Sequence, residues 1–152
     1  MKRLVLFILC ITTAVYVNAQ KPNPDYDADL AKKYEADNYG MKKYILVILK
    51  TGTNTTASKL ATDSAFSGHM ANMDKLVKAN KLIVAGPLSK NDKNYRGIFI
   101  LNVQTVEEAT AILATDPAVK AKLLDAELFN WYGSAALAEY LKSSDKVGKF
   151  KF

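Results

Sequence analysis

The chain carries a single histidine, His69, and any acid–base chemistry near neutral pH starts there. An unperturbed imidazole exchanges its proton between about pH 5 and 8, which no other side chain does. The run from Phe66 to Leu76 reads as an amphipathic helix. His69 shares a face with Phe66, Met73 and Leu76, so the ring points inward. There it serves as a general base if a carboxylate holds its other ring nitrogen, or as a structural histidine bonded to backbone. Asp116, in Thr115-Asp116-Pro117, carries a helix N-cap signature. Capping would keep that carboxylate ionised and able to orient an imidazole. Gly86 and Pro87 follow a strand, either as its closing turn or as a wall where a ligand meets backbone. Tyr44, Phe99, Phe129 and Trp131 fit core or dimer packing, and also the lining of an apolar pocket for a planar ring.

Other chemistries lack their residues. With one histidine, and with the only cysteine, Cys10, inside the leader described next, a tightly held transition metal is not expected. No phosphate-cradling glycine loop, no Gly-x-Ser-x-Gly and no dinucleotide fingerprint occurs. No cofactor is expected. The net charge of +6 is spread over lysines without a dense patch interleaved with aromatics, so a nucleic-acid partner is not expected either.

The first residues read as an export signal. Met1-Lys2-Arg3 is basic, Leu4 to Val17 is mostly apolar, and Val17-Asn18-Ala19 resembles a small-x-small cleavage site. The run falls short of the roughly 20 apolar residues of a membrane span. The expectation is a signal peptide over 1–19 and a secreted or periplasmic protein without a stable membrane anchor after cleavage. Cys10 leaves with the leader, so no disulfide or thiol nucleophile remains.

The elements that must position His69 and Asp116 follow from periodicity and punctuation. Residues 20–40 form an N-terminal linker or helix extension, opened by Lys21-Pro22-Asn23-Pro24 and closed by Gly40. Lys43 to Lys50 is a strand. A helix starts at Thr62 or Asp63 and runs to about Ala79. Leu82 to Ala85 is a second strand and Arg96 to Val103 a third. Thr105 caps a helix over Val106–Ala114, with Glu108 placed for a capping box. Asp116-Pro117 opens a short helical piece, and Ala126 to Tyr132 is the fourth strand. Gly133 breaks it, and the stretch 134–152 supplies a C-terminal helix over Ser134–Lys142 and a basic tail.

The order β-α-β-β-α-β is the ferredoxin-like pattern of the α+β class, a four-stranded antiparallel sheet with both helices on one face. Both faces of the first and third strands are apolar, however. Ile45, Val47 and Leu49 face one way, Tyr44, Leu46 and Ile48 the other. A sheet with one wet face should alternate apolar with polar residues. The second face therefore needs a cover: a homodimer pairing sheet on sheet, or the chain's own terminal helices.

The strand Lys42-Lys43-Tyr44-Ile45-Leu46-Val47, His69 with Leu76, Leu82-Ile83-Val84-Ala85-Gly86-Pro87-Leu88, Phe99, and Asp116-Pro117-Ala118-Val119-Lys120-Ala121 together resemble the YCII-related (YciI-like) family. The resemblance spans about residues 41–133. It implies a dimeric α/β barrel, two ferredoxin-like units joined through their sheets. It also implies a histidine–aspartate pair in a pocket, at His69 and Asp116 here, with Gly86, Pro87, Phe66, Tyr44 and Phe99 as the substrate-binding positions. A dehalogenation-type reaction is attributed to one branch, and its substrate does not carry over. The segment from Thr51 to Phe66 has no arginine, so anion recognition does not carry over either. The expectation is a cofactor-independent enzyme moving a proton on a small aromatic or carbonyl-bearing molecule. The alternatives are a non-catalytic small-molecule-binding protein and a structural dimer of the same fold.

Overall fold

The computed structural model describes residues 22–149, so the leader expected over 1–19 lies outside the described residues. In chain order the elements are helix α1 (Ala28–Lys33), strand β1 (Met41–Thr51), helix α2 (Lys59–Lys78), strands β2 (Leu82–Pro87) and β3 (Tyr95–Leu101), helices α3 (Val106–Leu113) and α4 (Pro117–Lys120), and strand β4 (Leu124–Ser134). A 3-10 turn (Ala135–Tyr140) and helix α5 (Leu141–Val147) follow. The four strands form one antiparallel sheet in the order β2-β3-β1-β4, the ferredoxin-like topology.

Register decides which residues share a face. Val47 lies opposite Phe99 on one side and Leu128 on the other, and Ile45 opposite Leu101. These residues face the helices. Ile45, Val47, Leu49, Phe99 and Leu101 form one core with Leu82, Val103, Ala109, Leu113, Ala118 and Leu124, against which Phe66, Met73 and Leu76 of α2 pack. Removing this apolar surface from water holds α2 and α3 to the sheet.

The opposite face is also apolar. Val84, Ile100, Leu46 and Phe129 form a row across all four strands, with Ile98 and Ile48 in the row beside it. The chain covers one end of this face. Tyr44 is buried there and its hydroxyl donates to the Ser134 carbonyl at 3.0 Å, while the Tyr140 hydroxyl donates to the Ile83 carbonyl. Over the rest of the face Leu46, Ile48, Val84, Ile98 and Ile100 are only half-buried, and Phe129 is 46% exposed. Among the described residues, no helix is long and apolar enough to cross a membrane.

Several boundaries differ from the sequence reading. Helix α2 starts about one turn earlier, because Ser58 rather than Thr62 caps it, its hydroxyl accepting from the Ala61 N–H. Strand β2 continues through Gly86 and Pro87, which pair with Ile98 and Gly97. It is an edge strand, where a residue without an N–H is tolerated. Strand β4 likewise continues through Gly133, whose missing Cβ makes room for the Trp131 indole, with ring atoms 2.3–2.7 Å from where that Cβ would sit. The Thr105 hydroxyl accepts from the Glu108 N–H as expected, but the Glu108 carboxylate pairs with Lys81 at 2.8 Å. The C-terminal piece expected as one short helix is a 3-10 turn followed by α5.

Candidate functional site

Two close approaches put α4 beside α2. Gly68 faces the ring of Pro117, where an added Cβ would lie 2.7 Å from Pro117 Cγ. On the other side the β1–α2 loop runs along the end of α4. Gly52 N–H donates to the Leu123 carbonyl, and Asn54 donates from its backbone N–H to Lys122 and from its side-chain amide to Ala121. A Cβ on Gly52 would sit 2.1 Å from the Lys122 carbonyl oxygen, so only glycine permits this run. Asp116, the N-cap of α4, is thereby presented to the inner face of α2.

There it meets His69. The Nδ1 nitrogen lies 2.7 Å from Asp116 Oδ2, with His69 at 8% and Asp116 at 1% exposure. The other carboxylate oxygen, Oδ1, accepts from the backbone N–H groups of Ala118 and Val119 at 2.9 and 3.3 Å. One side chain therefore both caps a helix and holds an imidazole. Burial is the largest single influence on the Asp116 carboxyl and pushes it up. The hydrogen bond and charge of His69, with the N–H groups of Val119 and Ala118, together outweigh it and hold the carboxyl below its ordinary range. An ionised carboxylate only accepts hydrogen bonds, so His69 Nδ1 carries a proton at this contact, and in the neutral imidazole Nε2 keeps the lone pair. Among the described residues Nε2 has no hydrogen-bond partner, and the His69 side chain keeps 10% of its surface exposed.

Two aromatic rings fix the imidazole plane. Phe99 stacks on it at 5.8 Å between centroids with 17° between planes, and Phe66 meets it edge-on at 6.2 Å. Of the expected ligand-facing positions, Phe66 and Phe99 thus touch the dyad. Ala85 lies opposite Phe99, and Pro87, two residues on, shares that face of the sheet at its rim. Gly86 points to the other face. Tyr44 does so too, because β1 places it out of phase with Val47 and Phe99. It lines a separate cleft of about 130 Å3 with Lys33, Lys42, Asn80 and Asn102. The structure does not bring Tyr44 to His69.

Sequence reasoning missed two residues of the site. Asn72, one turn after His69 on α2, places its Nδ2 3.5 Å from Asp116 Oδ2, and its Oδ1 lies 3.2 Å from the Thr115 hydroxyl. The three-residue spacing from His69 was the available signal. Among the described residues no three side chains of metal-binding type gather into a cluster.

The YCII-related domain family model matches residues 45–132. Among solved structures, the chain is similar to 5-chloro-2-hydroxyhydroquinone dehydrochlorinase from Burkholderia phenoliruptrix AC1100, solved in complex with 2,5-dihydroxybenzoquinone. The identity is 23%, over 57% of this chain and 92% of that one, with a TM-score of 0.42. No curated protein matches the chain.

The double engagement of Asp116 has a pH signature. Its lowered carboxyl contributes stability that is fully present above the unfolded value of about 3.9 and is lost as pH falls through the folded value. Asp116→Asn keeps a capping oxygen but no charge, and should lower unfolding free energy at pH 7 by about 1–3 kcal/mol. The gap between wild type and variant should close as the pH drops below about 4. Urea titrations at both pH values measure it, and an undiminished gap in acid would show that the charge is not what stabilises.

Proposed function

Since the chain belongs to the YCII-related domain family, we propose that it is a cofactor-independent acid–base catalyst acting on a small molecule, with His69 as the base and Asp116 as its orienting partner. One observation carries this reading: His69 Nδ1 lies 2.7 Å from the buried Asp116 carboxylate, while Nε2 has no hydrogen-bond partner among the described residues. In the proposed step, the Nε2 lone pair takes a proton from a substrate C–H or O–H acidified by a neighbouring carbonyl or ring, or from a water molecule. The bonding pair left behind forms a new π bond, expels a leaving group or attacks as hydroxide. Asp116 stabilises the imidazolium without taking its proton. The imidazolium then returns that proton to a different atom or to the leaving group. Isomerisation, elimination and hydrolysis all balance this way, with no electron acceptor needed. The stacked Phe99 and edge-on Phe66 favour a planar, unsaturated substrate, with Pro87 at the rim of the same sheet face as a further expected contact.

A second reading is favoured by the cap. Because Asp116 also holds Ala118 and Val119, the dyad would serve equally as a clip between α2 and α4 in a binding protein without turnover. Thermal-shift screening of planar carbonyl and phenolic compounds separates the two from a site elsewhere. A compound that stabilises wild type should lose that effect in His69→Ala, and turnover of the compound then marks the enzyme. Stabilisation that survives in His69→Ala would remove the dyad from the site.

The proposal includes a homodimer joined through the open sheet face. Four strands contribute its row of Val84, Ile100, Leu46 and Phe129, a contiguous apolar surface of the kind that marks an interaction site. Light scattering on a sizing column should give twice the chain mass, and Leu46→Lys or Ile98→Lys should give the single mass with the circular dichroism unchanged. A wild-type monomer at micromolar concentration would refute it. The reading of residues 1–19 as a leader puts this chemistry outside the cytoplasm. Amino-terminal sequencing of the mature protein should then begin at Gln20, and a start at Met1 would count against export.

A further inference from the structure

We infer that Asn72 is a positioning residue of the dyad: its amide braces the Asp116 carboxylate against His69 Nδ1, and Thr115 sets which way that amide faces. The inference rests on the proposed role of His69 and Asp116 and adds to it the device that holds them in register.

The carboxylate has two kinds of anchor. Oδ1 is held by Ala118 and Val119, which belong to the same short helix that Asp116 caps, so they fix it only relative to α4. Everything that fixes it relative to α2 arrives at Oδ2: His69 Nδ1 at 2.7 Å and Asn72 Nδ2 at 3.5 Å. Without Asn72 the imidazole would be the only described α2 side chain hydrogen-bonded to that carboxylate. The base would then share its Nδ1–H between orienting itself and holding its own orienter.

The Asn72 amide has only one workable direction. Turned round, Oδ1 would face an ionised carboxylate oxygen, lone pair against lone pair. With Nδ2 toward Asp116, Oδ1 meets the Thr115 hydroxyl at 3.2 Å, and that hydroxyl donates. Thr115 also lies 2.7 Å from the Ile112 carbonyl, so its single proton is contested. Its contribution is therefore smaller than that of Asn72. Thr115 is the residue before Asp116, so the triangle Thr115–Asn72–Asp116 ties both flanks of the cap to α2 one turn beyond the histidine.

What the brace protects is the tautomer. In water a free imidazole favours the proton on Nε2, whereas this dyad requires it on Nδ1. If the carboxylate swings, the imidazole relaxes toward the solution form, the proton moves to Nε2 and the base is lost.

The lone histidine makes the test direct, because one pair of imidazole 15N signals reports the whole population. On the 15N-labelled chain above the pH at which the imidazole is neutral, wild type should show a protonated Nδ1 and a bare Nε2. Asn72→Ala, an exchange that favours the helix, should keep its fold by circular dichroism while the two nitrogen shifts converge as tautomers mix. Thr115→Val should move them the same way by less. An Asn72 that merely packs would change the unfolding midpoint and leave both shifts in place. Wild-type shifts in both variants, with the fold kept, would overturn the inference. If Asn72→Ala does not fold, Thr115→Val decides by the same criterion. Should wild type itself carry the proton on Nε2, the proposed role of the dyad fails first, a result distinct from failure of the brace alone.

Discussion

The contact of Gly68 with Pro117 is the constraint on which the rest of the site depends. A side chain on Gly68 would push α4 off α2, since the space where its Cβ would sit is 2.7 Å from a proline ring carbon. With glycine there, the next residue of α2 and the residue before the proline come within hydrogen-bonding distance. Those residues are His69 and Asp116. A four-residue helix is too short to hold its own position. It is fixed by Gly68 on one side, by the Gly52–Asn54 run on the other, and by Ala118 in the core below. Both glycines answer a close approach rather than a turn.

The sheet divides the molecule's tasks between its faces. The face that carries Phe99 builds the core and seats the imidazole, and the other carries an apolar row that the chain leaves half open. The segments outside the matched family region add to the fold at one end of that second face. The Ala135 N–H donates to the Gly40 carbonyl, Tyr132 to Asp37, and Tyr44 to Ser134. They close the end where Tyr44 lies. Among the described residues these segments cover that end, and Leu46 and Ile98 are half-buried.

The fold was legible because its signals are periodic. The continuous apolar runs of β1 and β3, bounded by turn residues, and the three-four spacing of α2 each extend far enough to outweigh local exceptions. The misplacements fall where one contact overrides a local rule. Pro87 stays in a strand because the strand is at an edge, and Gly133 because an indole lies over it. Tyr44 was grouped with Phe99 because each strand showed two apolar faces and nothing in either segment says which faces match. Only the pairing of Val47 with Phe99 settles that, and register is a property of two strands. Asn72 was unreadable for a related reason. A half-buried asparagine in a helix has no pattern of its own, and its meaning comes from a carboxylate 44 positions away in the chain.

His69 and Asp116 were each readable as candidates, an inward histidine and an Asp-Pro cap, but their pairing came from the family resemblance, and the pair's two roles pull differently on the same atoms. A clip would gain from the shortest, driest bond, with both ring nitrogens satisfied. A base needs one nitrogen left open to a substrate, which a clip has no use for. Here the ring is nearly buried, stacked on Phe99 and held by a carboxylate, and its second nitrogen has no hydrogen-bond partner among the described residues. That asymmetry between Nδ1 and Nε2 is what the clip alone does not require. An open nitrogen is what the proposed proton transfer would use and what cohesion of α2 with α4 would not.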